Sequence, residues 1–134
     1  MQLYVNIDVD DVDKAVAFYT KGLGLRLSRR LFNGAIAELA GASSPIHLLP
    51  KAAASATAQG AATRTYARHW TPVHLDFCVE DLDAALQRAL DAGARLEGEV
   101  RQHAWGRIAT LGDPFGHGLC LIQLAPGGYA NVAG

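Results

Sequence analysis

Apolar and polar residues alternate along Val5-Asn-Ile-Asp-Val9 and again along Leu75-Asp-Phe-Cys-Val79, the period of a strand with one buried face. Directly after each strand, apolar positions recur at helical spacing: Val12, Ala15, Val16 and Tyr19, then Leu82, Ala85, Leu86 and Ala89. Asp11 and Asp81 stand where N-caps belong, acidic first turns follow, and Gly22 or Gly24 and then Gly93 supply the stops. The two stretches repeat each other. Residues 4–25 align without gaps on residues 74–95, an offset of 70, with Val9/Val79, Asp11/Asp81, Asp13/Asp83 and Ala15/Ala85 identical. Three short apolar runs separated by turn residues follow each helix: LRLSRRLF, AIAELA and PIHLLP, then ARLEGEV, GRIATLG and GLCLIQL.

The pattern predicts an α+β fold of two tandem βαβββ modules whose alternating strands bury one face under a helix. Residues 1–134 form one expected domain: module one over 1–50, a connector over 51–72, module two over 73–126, and a tail over 127–134 that Gly127 and Gly128 make flexible. The connector is rich in Ala, Thr, Ser and Gly and has no apolar stripe, which suits a mobile link or lid; its alanines are also compatible with a short helix.

Composition narrows the function classes. A chain of 134 residues, half of them apolar, can bury one real core. The net charge is −1 and the twelve Lys and Arg residues are scattered, so the footprint of a nucleic-acid binder is missing. No apolar run approaches the roughly 20 residues that span a bilayer, and the first residues are acidic where a secretory signal is basic and then apolar. A cytoplasmic protein with no membrane partner is expected. Cys78 and Cys120 lack both the density of a disulfide framework and a C-x-x-C spacing, and are expected as reduced thiols.

The second faces of the two opening strands carry the candidate chemistry: Tyr4, Asn6 and Asp8 in one, His74, Asp76 and Cys78 in the other. These are hydrogen-bonding, titratable or metal-ligating groups rather than the Lys, Thr or Glu of an ordinary solvated face. His74 and Asp76 stand two apart on one face, with α-carbons about 6.8 Å from each other. The carboxylate can therefore orient the imidazole or raise its basicity. An isolated pair of this kind is most simply a satisfied polar pair, but the repeat of the module, which would bring titratable groups together in a cleft, gives the functional reading equal weight.

Three longer motifs resemble the vicinal oxygen chelate superfamily, which includes glyoxalase I, extradiol dioxygenases, fosfomycin-resistance enzymes and bleomycin-binding proteins. Asp11-Val-Asp-Lys-Ala-Val-Ala-Phe-Tyr-Thr-Lys-Gly-Leu-Gly24 resembles its first helix, His74-Leu-Asp-Phe-Cys-Val-Glu-Asp81 its second-module strand, and Asp113-Pro-Phe-Gly116 the turn before its last strand. Leu3-Tyr-Val-Asn-Ile-Asp-Val9, Arg68-His-Trp-Thr-Pro-Val-His-Leu-Asp-Phe77 and the run from Asp113 to Gln123 are similar to an uncharacterised glyoxalase-like branch. The resemblance implies a curved, barrel-like mixed sheet around one cavity, with helices outside, and a homodimer.

It also implies four ligand positions, at Tyr4, His47, His74 and Cys120, where metal-dependent members place His or carboxylate residues. Only His74 matches the usual ligand. A phenol and a thiol suit a hard octahedral ion poorly, whereas His47, His74 and Cys120 offer a softer set for an ion such as zinc. The expected cofactor is therefore either none or one divalent metal ion. Cys120 is equally readable as a small buried hydrophobe, Tyr4 as a wall residue, and His47 as a satisfied core histidine.

Three functions fit this reading. The first is binding of a small polar molecule by Tyr4, Asn6, His47, Trp105 and Cys120, with His74 and Asp76 available for acid/base work next to a carbonyl. The second is divalent-metal-dependent lyase, isomerase or dioxygenase chemistry at a non-standard ligand set. The third is sequestration of an antibiotic or other toxic ligand without catalysis. Among the remaining residues, His117 is expected to hydrogen-bond locally in its turn, and His69 and Trp70 to cap the cavity or anchor the connector.

Overall fold

The computed structural model describes residues 1–57 and 62–134. Two compact units, Met1–Ala67 and Arg68–Gly134, divide the chain. The first contains β1 (Val5–Val9), α1 (Val12–Ala17) prolonged by a π-helical turn (Phe18–Gly22), β2 (Arg26–Leu31), β3 (Ile36–Ala40) and β4 (Ile46–Pro50). Its sheet has the order β1-β4-β3-β2, with β1 and β4 parallel and the other pairs antiparallel. A parallel pair needs a long crossover, which α1 and the β2–β3 hairpin provide.

Asp11 caps α1 as expected, its carboxylate accepting from the Lys14 N–H at 3.0 Å. The helix then widens, because Thr20 Oγ1 donates to the Val16 carbonyl at 2.7 Å and competes for the acceptor of the regular ladder. Val9, Ala15, Phe18, Tyr19, Leu39 and Leu48 are buried, and α1 packs on β3 and β4.

The second unit contains β5 (Leu75–Cys78), α2 (Leu82–Asp91), β6 (Arg95–Leu96), β7 (Arg101–His103), β8 (Gly106–Gly112), β9 (Gly118–Leu124) and a 3-10 turn (Gly128–Val132). Its order is β5-β9-β8-β6, with β7 also paired to β8 and β5 parallel to β9. Asp81 caps α2 by accepting from the Ala84 N–H at 3.1 Å. Leu82, Ala89, Ala109, Leu111, Leu119 and Leu121 are buried.

The expected α+β architecture of two modules is present, with one open sheet in each unit, and local expectations are refined. The ARLEGEV run is two short strands, since Gly98 at φ 76° turns the chain between them. The tail is a 3-10 turn fixed by Asn131 Nδ2, which donates to Ala104 O at 3.0 Å and Pro126 O at 2.9 Å. The connector includes residues 58–61, which lie outside the described residues. Its described part is tied down, with Arg64 Nε donating to Asp8 at 2.7 Å and Tyr66 Oη to the Lys51 carbonyl at 2.7 Å. Among the described residues, no helix is long and apolar enough to cross a membrane.

Candidate functional site

In the second unit, the start of α2 fixes which sheet face is which. The Leu82 N–H donates to Gln123 Oε1 at 2.8 Å, and Arg107 pairs with Asp83 at 3.0 Å, so odd-numbered residues of β8 and β9 point toward the helix. Even-numbered residues point away from it. Residues directly opposite each other share a face, so Asp76, Cys120 and Thr110 form one cross-strand row there, and Arg101, Ile108 and Ile122 lie in the next.

His74 stands beside this row, its Nε2 3.2 Å from Asp76 Oδ1, with both side chains about two-fifths exposed. An Nε2–H donating to Asp76 leaves the Nδ1 lone pair as the available base. The Trp70 ring meets the His74 ring edge-on, with centroids 5.4 Å apart, and Arg68 stacks over Trp70 at 4.7 Å while forking onto Glu97. Glycines in the strands make room for this strap. A Cβ at Gly118 would lie 2.6 Å from the Trp70 ring and one at Gly112 2.8 Å from Arg68 Nε. His69 anchors the strap by donating its N–H to Gly116 O at 2.9 Å, and its Nε2 stands 3.4 Å from His117 Nδ1. His117 is bonded locally as expected, its N–H donating to Asp113 Oδ1 at 2.9 Å.

A matching row crosses the first sheet through Asn6, His47, Glu38 and Arg29. Here the polar side chains bind one another. His47 Nδ1 is 3.1 Å from Asn6 Oδ1, His47 Nε2 is 2.7 Å from Glu38 Oε2, and Arg29 Nε donates to Glu38 Oε1 at 2.8 Å. Tyr4 stacks on the His47 ring at 5.3 Å. The bonds from Arg29 and then His47 hold the Glu38 carboxyl below its ordinary 4.5. A depressed carboxyl contributes stability that is complete above its unfolded value and is lost as pH falls through the folded one. Glu38→Gln should therefore flatten the decline of thermal stability below about pH 4.5. An acid limb identical to that of the wild type would contradict the assignment.

The sequence-derived residues are thus sorted by unit. His74, Asp76 and Cys120 come together, each offering one ligand atom, and all three atoms lie within 4.8 Å of one another. His47 instead has both ring nitrogens engaged by Asn6 and Glu38. Trp105 joins an aromatic stack, 5.3 Å from His103 and 5.4 Å from Tyr129. Burial pushes the Cys120 thiol pKa up, and its contact with Thr110 Oγ1 at 3.8 Å acts the other way. The charge of Asp76 and its hydrogen bond to the thiol add to the rise, and the charge of Arg101 opposes it. One imidazole, one carboxylate and one thiol fit a tetrahedral zinc-type ion with an open fourth position, and do not fit a hard octahedral ion. Ion binding there would have to displace the thiol proton. Sequence reasoning missed Arg29, Thr110, Arg101 and the Arg68–Trp70 contact. Gly112 and Gly118, glycines inside strands, were the signal for the strap.

The glyoxalase-like domain family matches residues 4–122. The chain is 30% identical over 131 residues to the anthracycline biosynthesis protein DnrV of Streptomyces peucetius, a match covering 98% of this chain and 44% of that protein. It spans less than half the length of this relative and of DauV from Streptomyces sp. strain C5, of which it covers 40%. Among solved structures, a glyoxalase-related enzyme from Fulvimarina pelagi superposes with a TM-score of 0.72 at 16% identity, covering 94% of this chain and 88% of that one. TnmS3, an antibiotic-binding protein from Streptomyces sp. CB03234, superposes with a TM-score of 0.68 at 23% identity, covering 93% and 96%. These two likenesses establish the fold.

Proposed function

This chain belongs to the glyoxalase-like domain family, and on that footing we propose that it binds a small carbonyl compound on the helix-averted face of its second sheet, where His74 with Asp76 moves a proton. The observation that carries this reading is the His74–Asp76 contact of 3.2 Å, which leaves His74 Nδ1 uncommitted among the described residues, whereas both ring nitrogens of His47 in the first sheet are engaged. His74 Nδ1 takes a proton from the carbon next to the carbonyl. The C–H electron pair becomes the C=C bond of an enolate as the C=O π pair moves onto oxygen, and the same nitrogen, after exchange with solvent, returns a proton to the carbon. The thiol of Cys120 and the hydroxyl of Thr110, 3.8 Å apart and bonded to each other, line the row beside His74. DnrV, an anthracycline biosynthesis protein, and TnmS3, an antibiotic-binding protein, support a small organic ligand. The reading is tested with the methyl ester of β-benzoylpropionate, an uncharged phenyl ketone. Protein-dependent deuterium entry next to its carbonyl in heavy water is expected, and a rate no faster than buffer alone would sink the catalytic half.

The cluster of His74, Asp76 and Cys120 favours a second reading, in which these residues hold a zinc-type ion. Such an ion would supply Lewis-acid polarisation of the carbonyl oxygen. Equilibrium dialysis against zinc decides it: stoichiometric retention that His74→Ala removes supports the ion, and retention by neither protein overturns it.

A further inference from the structure

The recess next to the His74–Asp76 row carries an inference about the ligand's charge. It encloses about 430 Å³ and is lined by Glu97, Gly98, Glu99, Arg101 and Thr110. Thr110 belongs to both places, since it lines the recess and lies directly opposite Cys120, itself opposite Asp76. Asp76 and Thr110 are two strand spacings apart, about 10 Å, so one small molecule lying across β9 and β8 reaches from the imidazole into the recess.

The charges there are unequally committed. Among the described residues, five arginines are paired with carboxylates: Arg29 with Glu38, Arg30 with Asp13, Arg64 with Asp8, Arg68 with Glu97 and Arg107 with Asp83. Glu97 is therefore already neutralised by the Arg68 fork. The Arg101 side chain makes no ion pair or hydrogen bond among the described residues, although Glu99 lines the same recess. Register places Arg101 opposite Ile108, on the sheet face that also carries Asp76 and Cys120, and its charge acts on the Cys120 thiol.

We propose that Arg101 anchors a carboxylate of the ligand, so that the site takes keto acids whose ketone lies at His74 and whose acid group lies in the recess. This rests on the reading of the His74–Asp76 face given above. A guanidinium offers a carboxylate two parallel N–H donors, which a neutral ester cannot use as a charged pair.

The test compares β-benzoylpropionate with its methyl ester by isothermal titration. The wild type should bind the acid about tenfold more tightly than the ester. Arg101→Met should abolish that preference by weakening the acid about tenfold and the ester less than twofold, Arg101→Lys should keep part of it, and Glu99→Gln should strengthen acid binding by removing a like charge. Equal affinity of the wild type for acid and ester would overturn the anchor while leaving the binding face standing. Binding of neither compound would overturn the face, and the anchor with it. An Arg101→Met variant that weakens both ligands equally would assign Arg101 a structural role and also overturn the proposal.

Discussion

Asp76→Asn is expected to slow deuterium entry into the ketone by about 100-fold or more, with the ester still bound within about threefold of the wild-type affinity. The reason lies in the tautomer. A carboxylate at position 76 accepts the Nε2–H of His74 and leaves Nδ1 bare, at the 3.2 Å contact observed. An amide can present its NH2 group to the same nitrogen, which moves the proton to Nδ1 and occupies the atom that must act as base. His74→Ala should cost at least as much in rate. Asp76 is two-fifths exposed and Asn keeps its size and hydrogen-bonding capacity, so the thermal transition of Asp76→Asn should stay close to that of the wild type. A variant that exchanges at the wild-type rate would remove His74–Asp76 as the acid/base pair.

The largest structural effect is expected at Leu111. It is fully buried on the helix side of β8, opposite Leu119 on β9 and Leu96 on β6. Truncation to Ala removes its packing and leaves a cavity, which should lower the unfolding free energy by about 3 kcal/mol and the midpoint by about 10 °C. Leu96→Ala is the comparison, because Leu96 is 37% exposed and should shift the midpoint by less than half as much. Similar shifts for both would mean that the helix side of this sheet is not where its stability resides.

Much of the fold was legible because its signals are local. The period-two strands, the caps at Asp11 and Asp81, and the repeat at an offset of 70 depend on neighbours within a few residues. The split of the ARLEGEV run was missed because one glycine inside an apolar run reads equally as strand or turn until its φ is known. The site was legible in part. His74 and Asp76 could be paired because they lie two apart on one strand. The engagement of His47 by Glu38 depends on the register of β3 against β4, and the place of Arg101 on that of β7 against β8, which hydrophobic pattern alone does not fix. The strap is a case between these: Gly112 and Gly118 announced a close approach, but not that Arg68 and Trp70 would make it.

The central claim is that the helix-averted face of the second sheet, and not the satisfied row of the first, receives the ligand. Amide and side-chain NMR of the labelled protein during titration with the methyl ester of β-benzoylpropionate tests this most directly. The account predicts shifts concentrated at His74, Asp76, Thr110, Cys120 and the Trp70 indole. Shifts centred instead on Asn6, Glu38 and His47, with the second-sheet signals unmoved, would contradict it.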